Sequence, residues 1–173
     1  DNGHVSLDTN GDVVLVSSNM ANLLTGLEEQ TLTHVGGDDD INVGDGPDIV
    51  IAGVGNDYIN WDRTGSAPNP RLGLDSSPDV ILGDSGEAFF KVYDGAEALS
   101  HIRTIDDTHG GDDKIWTDGG FDVVLGGAAN DDIDAGTDES RDIALGDNGV
   151  VLFFDNPHEI VKQISSTTPD SGG

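Results

Sequence analysis

The sequence predicts an all-β protein built largely from very short strands stacked on one another. Two patterns carry that expectation. A nine-residue register of Gly, Asp and an apolar residue runs through the chain twice, and longer apolar, β-prone stretches flank each run. A third observation, a formal charge of −27 on 173 residues, sets what the stack must accommodate.

In the second run Asp113, Asp122 and Asp131 fall nine residues apart. Gly111 and Gly120 keep the step two residues earlier, and Ile115, Val124 and Ile133 keep it two residues later. The first run repeats this with Gly37, Gly46 and Gly55, with Asp39, Asp48 and Asp57, and with Ile41, Val50 and Ile59. A glycine turn ending in Asp and followed by three strand-forming residues describes a tight turn and a short strand. Such units stack into solenoids.

Side chains alternate across a strand, so the central apolar residue points inward. Its neighbours differ between two kinds of strand. After Asp39, Asp57, Asp113 and Asp131 they are mostly polar; after Asp48, Asp79, Asp122 and Asp142 they are apolar: Ile49, Ile51, Val80, Leu82, Val123, Leu125, Ile143 and Leu145. The second sheet is therefore apolar on both faces and must be covered on both. The flanking connectors or a neighbouring chain are the expected cover.

A longer repeat surrounds the short one. Gly83-Asp84-Ser85-Gly86 matches Gly146-Asp147-Asn148-Gly149, and Asp1-Asn2-Gly3 matches both, with 83 residues from Asp1 to Asp84 and 63 from Asp84 to Asp147. The expected organisation is one repetitive segment: connector 1–35, nonapeptide block 36–86 with an inserted loop at 61–72, connector 87–109, block 110–149, and connector 150–173 running toward a further block. The connectors hold strand-like runs at Val13–Val16, Ala88–Tyr93 and Val150–Phe154, with turns at Asp94-Gly95 and Asp155-Asn156-Pro157. Asn19–Gln30 is either a short helix or irregular. The expectation is a segment of a longer tandem array.

Acidic residues number 34 against 7 basic ones, which excludes a basic nucleic-acid footprint and argues against binding to an anionic membrane. Uncompensated, this charge opposes a compact state. Carboxylates gathered on hard, oxygen-seeking cations account for it, and calcium is the cation that tolerates irregular oxygen shells. There is no cysteine, so metal or stacking must replace disulfides. No apolar run approaches the roughly 18 residues of a membrane span.

The stretches Ala52–Asn60 and Gly126–Asp134 resemble the nonapeptide of the RTX (repeat-in-toxin, haemolysin-type) calcium-binding family, with Ala129 in place of a turn glycine and Val43 and Ala52 in place of leading ones. The resemblance covers the two blocks, about half the chain. It implies a parallel β-roll with two nonapeptides per coil and calcium between stacked turns, in a large secreted or cell-surface bacterial protein exported by a type I route. Residues 18 apart are then stacked neighbours. The expected calcium pairs are Asp39/Asp57, Asp57/Asp84, Asp48/Asp79, Asp113/Asp131, Asp131/Asp147 and Asp122/Asp142, about six ions, with the turn glycines Gly37, Gly46, Gly55, Gly111 and Gly120 freeing carbonyls. Turn-forming Asp residues bonded to their own backbone are the plainer alternative. Asp38, Asp45, Asp112 and Asp118 are further ligands or solvated turn residues.

Other motifs carry less. Asp8–Asp12 has the start of an EF-hand loop without its final glutamate and reads better as a hairpin turn. Gly83–Gly86 matches the string around a trypsin-like nucleophile, but its cognate carries Asn148 at the serine position and no matching histidine segment exists. The five histidines share no ligand spacing. The functional expectation is a non-enzymatic, calcium-binding structural module that folds on calcium, its partners being calcium and adjacent repeats or identical chains end to end. An adhesive module using Trp61, Trp116 and the inserted loop, or the tail of a secreted protease or lipase, are the rivals.

Overall fold

The computed structural model describes residues 3–7, 13–18, 36–61, 76–155 and 160–167. These residues form β-strands and no helix: β1 (Gly3–Leu7), β2 (Val13–Ser18), β3 (Asp40–Ile41), β4 (Ile49–Ile51), β5 (Tyr58–Ile59), β6 (Val80–Leu82), β7 (Gly86–Tyr93), β8 (Ala96–Thr104), β9 (Lys114–Trp116), β10 (Val123–Gly127), β11 (Asp132–Asp134), β12 (Ile143–Asp147), β13 (Gly149–Phe153) and β14 (Val161–Ser166). They make three sheets. Two are parallel and four-stranded, in the orders β11-β9-β5-β3 and β12-β10-β6-β4; the third is antiparallel and six-stranded, in the order β1-β2-β7-β8-β13-β14. The protein is all-β, as its sequence predicts. Asn19–Gln30, the insertion from residue 62 to 75 and the Asp8–Asp12 turn lie outside the described residues.

The nonapeptides build the parallel sheets. Within the blocks the chain passes alternately through one sheet and the other, so each pair of consecutive short strands forms a tier: β3/β4, β5/β6, β9/β10 and β11/β12. The two blocks join without a break. Strand β9 pairs with β5 and β10 with β6, through bonds such as Lys114 N–H to Asp57 O (2.8 Å) and Val123 N–H to Asp79 O (2.9 Å). Between the two parallel sheets lies a core of Val50, Ala52, Ile59, Ile81, Ile115 and Val124, the inward-pointing residues expected from alternation.

The connectors form the third sheet, and it covers the apolar one. Ala88, Phe90, Leu99, Ile102, Val151, Phe153 and Val161 pack on Val80, Leu82, Val123, Leu125, Ile143 and Leu145. Adjacent aromatic residues cannot both face inward, which sorts the two Phe pairs. Phe90 and Phe153 enter the core, whereas Phe89 stacks on His101 at 4.1 Å and Phe154 stays 46% exposed. At Asp94-Gly95 both residues have positive φ, 51° and 84°, so β7 and β8 join through a two-residue turn whose twist matches the strands. Strands β1 and β2 pair antiparallel, as the hairpin reading of the Asp8–Asp12 turn requires. Near the turns that lead into β4, β6 and β10 the layers part around a cleft of about 780 Å³ lined by Ile49, Val80, Val123, Phe90, Leu99 and Phe153.

Leu125 is fully buried in this second core. Leu125→Ala is expected to cost about 2–5 kcal/mol in denaturant unfolding, whereas Phe154→Ala, at an exposed position, should stay within about 0.5 kcal/mol.

Candidate functional site

Each short strand is entered through an Asp, so the tiers place these residues in two columns, one for each parallel sheet. In the first column Asp39 N–H donates to Asp57 Oδ1 (2.7 Å), Asp57 N–H to Asp113 Oδ1 (2.8 Å), and Asp113 N–H to Asp131 Oδ1 (3.0 Å). In the second, Asp48 N–H donates to Asp79 Oδ1 (2.9 Å), Asp79 N–H to Asp122 Oδ1 (2.8 Å), and Asp122 N–H to Asp142 Oδ1 (3.2 Å). Four expected neighbours are thus together: Asp39/Asp57, Asp48/Asp79, Asp113/Asp131 and Asp122/Asp142. Because the blocks stack directly, Asp57 also meets Asp113 and Asp79 meets Asp122, contacts that a spacing of 18 residues does not reveal.

One oxygen of each bonded carboxylate satisfies the next tier's backbone. The other is the functional question. The Oδ2 atoms of Asp113 and Asp131 are buried and have no hydrogen-bond partner, and that of Asp122 is buried with the Thr117 hydroxyl beside it. Burial pushes Asp113 up to about 9 and Asp131 up to about 6, and it raises Asp122 as well; neighbouring carboxylates add to each shift. Acceptor oxygens in that state suit a hard cation with oxygen ligands. Among the described residues no three His, Asp or Glu side chains gather as a metal-binding group. The carboxylates are instead offered as stacked pairs.

Asp84 lies near Asp57, as its place in the sequence suggests, and it also reaches the turns of later tiers. Its carboxylate accepts from Gly111 N–H (3.2 Å) and Ala128 N–H (2.6 Å), so it ties the turns of the third and fourth tiers together. It is fully buried, and burial, with Asp131 and Asp57 nearby, raises it to about 8. Asp147, its cognate, is half-buried and adds to the shift of Asp131.

The turn glycines are not equivalent. Gly37, Gly55 and Gly111 stack so closely that a Cβ on Gly55 or Gly111 would overlap the carbonyl of the glycine one tier before, and Gly120 presses likewise on Ser77; Gly46 has open space around it. Ala129 occupies the fourth tier's equivalent position with φ 76°, a conformation costly for a residue with a Cβ.

Sequence reasoning missed a second ladder, one residue before the first column. Asn56 N–H donates to Asp38 Oδ1 (2.9 Å), Asp112 N–H to Asn56 Oδ1 (2.8 Å) and Asn130 N–H to Asp112 Oδ1 (3.0 Å). The signal was present in the regular alternation Asp38, Asn56, Asp112, Asn130. The bond from Asn130 N–H holds Asp112 below the ordinary carboxylate range. Asn60 likewise bridges tiers, accepting from Val43 N–H and donating to Trp116 O.

Trp61 is 6% exposed with Lys114 Nζ 5.1 Å from its ring centre, which withdraws it from contact with an external surface; Trp116 is half-buried. His101 stacks on Phe89 and His109 lies 3.0 Å from Asp106, so neither joins an Asp column. No family model, curated protein or solved structure matches the chain.

The raised carboxylates fix a pH dependence. A carboxylate whose folded pKa exceeds its unfolded value stabilises the fold fully below the ordinary 3.8 and loses that contribution as pH rises through the folded value. In chelator, the ordered fraction is therefore expected to be greatest in mild acid, near the ordinary 3.8, and to fall as pH rises toward about 6, where Asp131 titrates in the fold; Asp84 and Asp113, raised to about 8 and 9, deepen the loss. Ala129→Gly should raise stability by about 0.5–1 kcal/mol in thermal unfolding in millimolar calcium, since relief of strain outweighs the added chain entropy.

Proposed function

We propose that the chain is a non-enzymatic structural module of the RTX type, a β-solenoid (β-roll) whose turns bind calcium. The observation that carries this reading is the pair of in-register Asp columns, with buried, unpartnered Oδ2 atoms on Asp113 and Asp131. Each column contains three junctions, giving the six sites expected from sequence but with Asp57/Asp113 and Asp79/Asp122 in place of Asp57/Asp84 and Asp131/Asp147. The paired Asp residues would hold the ion from adjacent tiers, with turn carbonyls completing a shell of roughly six to eight oxygens. Bound calcium supplies the positive charge that offsets the stacked carboxylates. Asp84, by holding the Gly111 and Ala128 amides, keeps two turns in register beside the first column.

Coupling between metal and fold follows. With calcium about tenfold above Kd, each site adds about 1.4 kcal/mol, so several sites together rival the stability of a whole domain. Sites of this kind suit the millimolar calcium outside cells, in keeping with a secreted or surface-attached parent.

Circular dichroism is expected to show little ordered β-structure in chelator at neutral pH and a cooperative gain on adding millimolar calcium; identical spectra would remove the reading. The columns also set the stoichiometry. Asp113 and Asp122 each lie between two others, whereas Asp39 ends its column. In calorimetric titration, Asp113→Ala and Asp122→Ala should each lose about two ions, and Asp39→Ala about one. Equal losses across the three would show that the junctions are not the sites.

A further inference from the structure

The six-stranded sheet is wider than the sheet it covers. Strand β2 lies against β4 and β8 against β10, so the order β1-β2-β7-β8-β13-β14 projects beyond β4 at one end and beyond β12 at the other. One row of residues shows this directly. Val5, Val16, Ala88, Ile102, Val151 and Ile164 are paired in sequence across the sheet and share its inner face. Ala88, Ile102 and Val151 are 0% exposed, while Val5 at one end is 57% exposed and Ile164 at the other is 49% exposed. These apolar side chains point to where another strand of the apolar sheet would lie. Leu7, two residues from Val5 on β1, is 57% exposed as well.

The middle hairpin shows what fills such a place. The three hairpins start alike, at Gly3, Gly86 and Gly149, each after Asp and Asn or Ser. In the covered hairpin, Ala88 of β7 and Ile102 of β8 are buried against strands of both blocks, at the junction where β6 pairs with β10. We infer that each hairpin is a splint across the junction of two blocks, and that the outer strands of the first and last hairpins seat a further four-turn block of the same acidic, glycine-rich kind. The inference rests on the stacked reading above but not on its metal.

The parallel sheets end together, with β11 and β12 at one end and β3 and β4 at the other, so an added block would extend both of them at once, beneath β14 or β1. A second intact copy fits less well. Bringing its β4 against β12 would put its β1–β2 hairpin where β13–β14 already stands. The contact is head to tail and does not close on itself.

The test adds a synthetic peptide of residues 110–149 to the full chain in millimolar calcium and follows binding by calorimetry and sedimentation. Two binding events are expected, one per end. Val5→Asp should weaken one and Ile164→Asp the other, each by about tenfold or more, because a charge would enter a buried apolar seat. Circular dichroism of both variants should show wild-type calcium-induced folding, as expected of exposed positions. Absence of peptide binding to the folded chain, or binding that ignores both substitutions, overturns the seats. Self-association tighter than peptide binding overturns the block as occupant in favour of a second copy. Peptide binding without any response of the fold to calcium would sink the metal reading and leave the seats standing.

Discussion

The structure depends on one contact made repeatedly: an Asp carboxylate accepting the backbone N–H of the Asp one tier before. The bond fixes the register of the stack, since it forms only when equivalent turns coincide. It also forces like charges into line at roughly the 4.8 Å strand spacing. Two unit charges near 5 Å repel by about 3 kcal/mol at an effective dielectric of about 20. A hydrogen bond to a charged group returns about 1.5–3 kcal/mol. The contact that sets the register thus cannot by itself carry its own electrostatic cost.

The outer ladder meets the same difficulty without a cation. There Asp38, Asn56, Asp112 and Asn130 alternate, so no two carboxylates are neighbours, while every side-chain oxygen that accepts keeps its backbone donor. Asn replaces Asp at almost no cost in shape, yet the inner columns keep Asp at every tier. Retaining charge where amide would serve the hydrogen bond is the strongest chemical argument for a cation. Protons are the other neutralising species, and the raised values of Asp84, Asp113 and Asp131 show how strongly the buried columns favour being neutral.

Much of the fold was legible in the sequence because the residues that mark it are local. Gly, Asp and an apolar residue at fixed offsets define turn and strand, and the contrast between polar and apolar strands assigned Ile143 and Leu125 to the sheet that needs cover. Alternation explains why Phe90 and Phe153 supply that cover rather than Phe89 and Phe154, although composition alone could not choose. What could not be read was long-range. The pairing of β5 with β9, the union of three hairpins in one sheet and the tie from Asp84 to Gly111 and Ala128 are decided by how blocks pack, which a periodicity within blocks does not encode.

That limit has a physical cause in the register itself. Stacked Asp residues lie 18, 56 and 18 positions apart in one column, and 31, 43 and 20 in the other. A fixed spacing holds only where no insertion intervenes, yet every junction has the same bond. Chain can therefore be added between tiers, as the segment after Trp61 and the β7–β8 hairpin both are, without disturbing the columns. Loop closure grows slowly in cost with length, so such additions are weakly opposed. Selection of register by side-chain chemistry rather than by spacing lets a connector leave the stack, cover its apolar sheet, and return one tier further on.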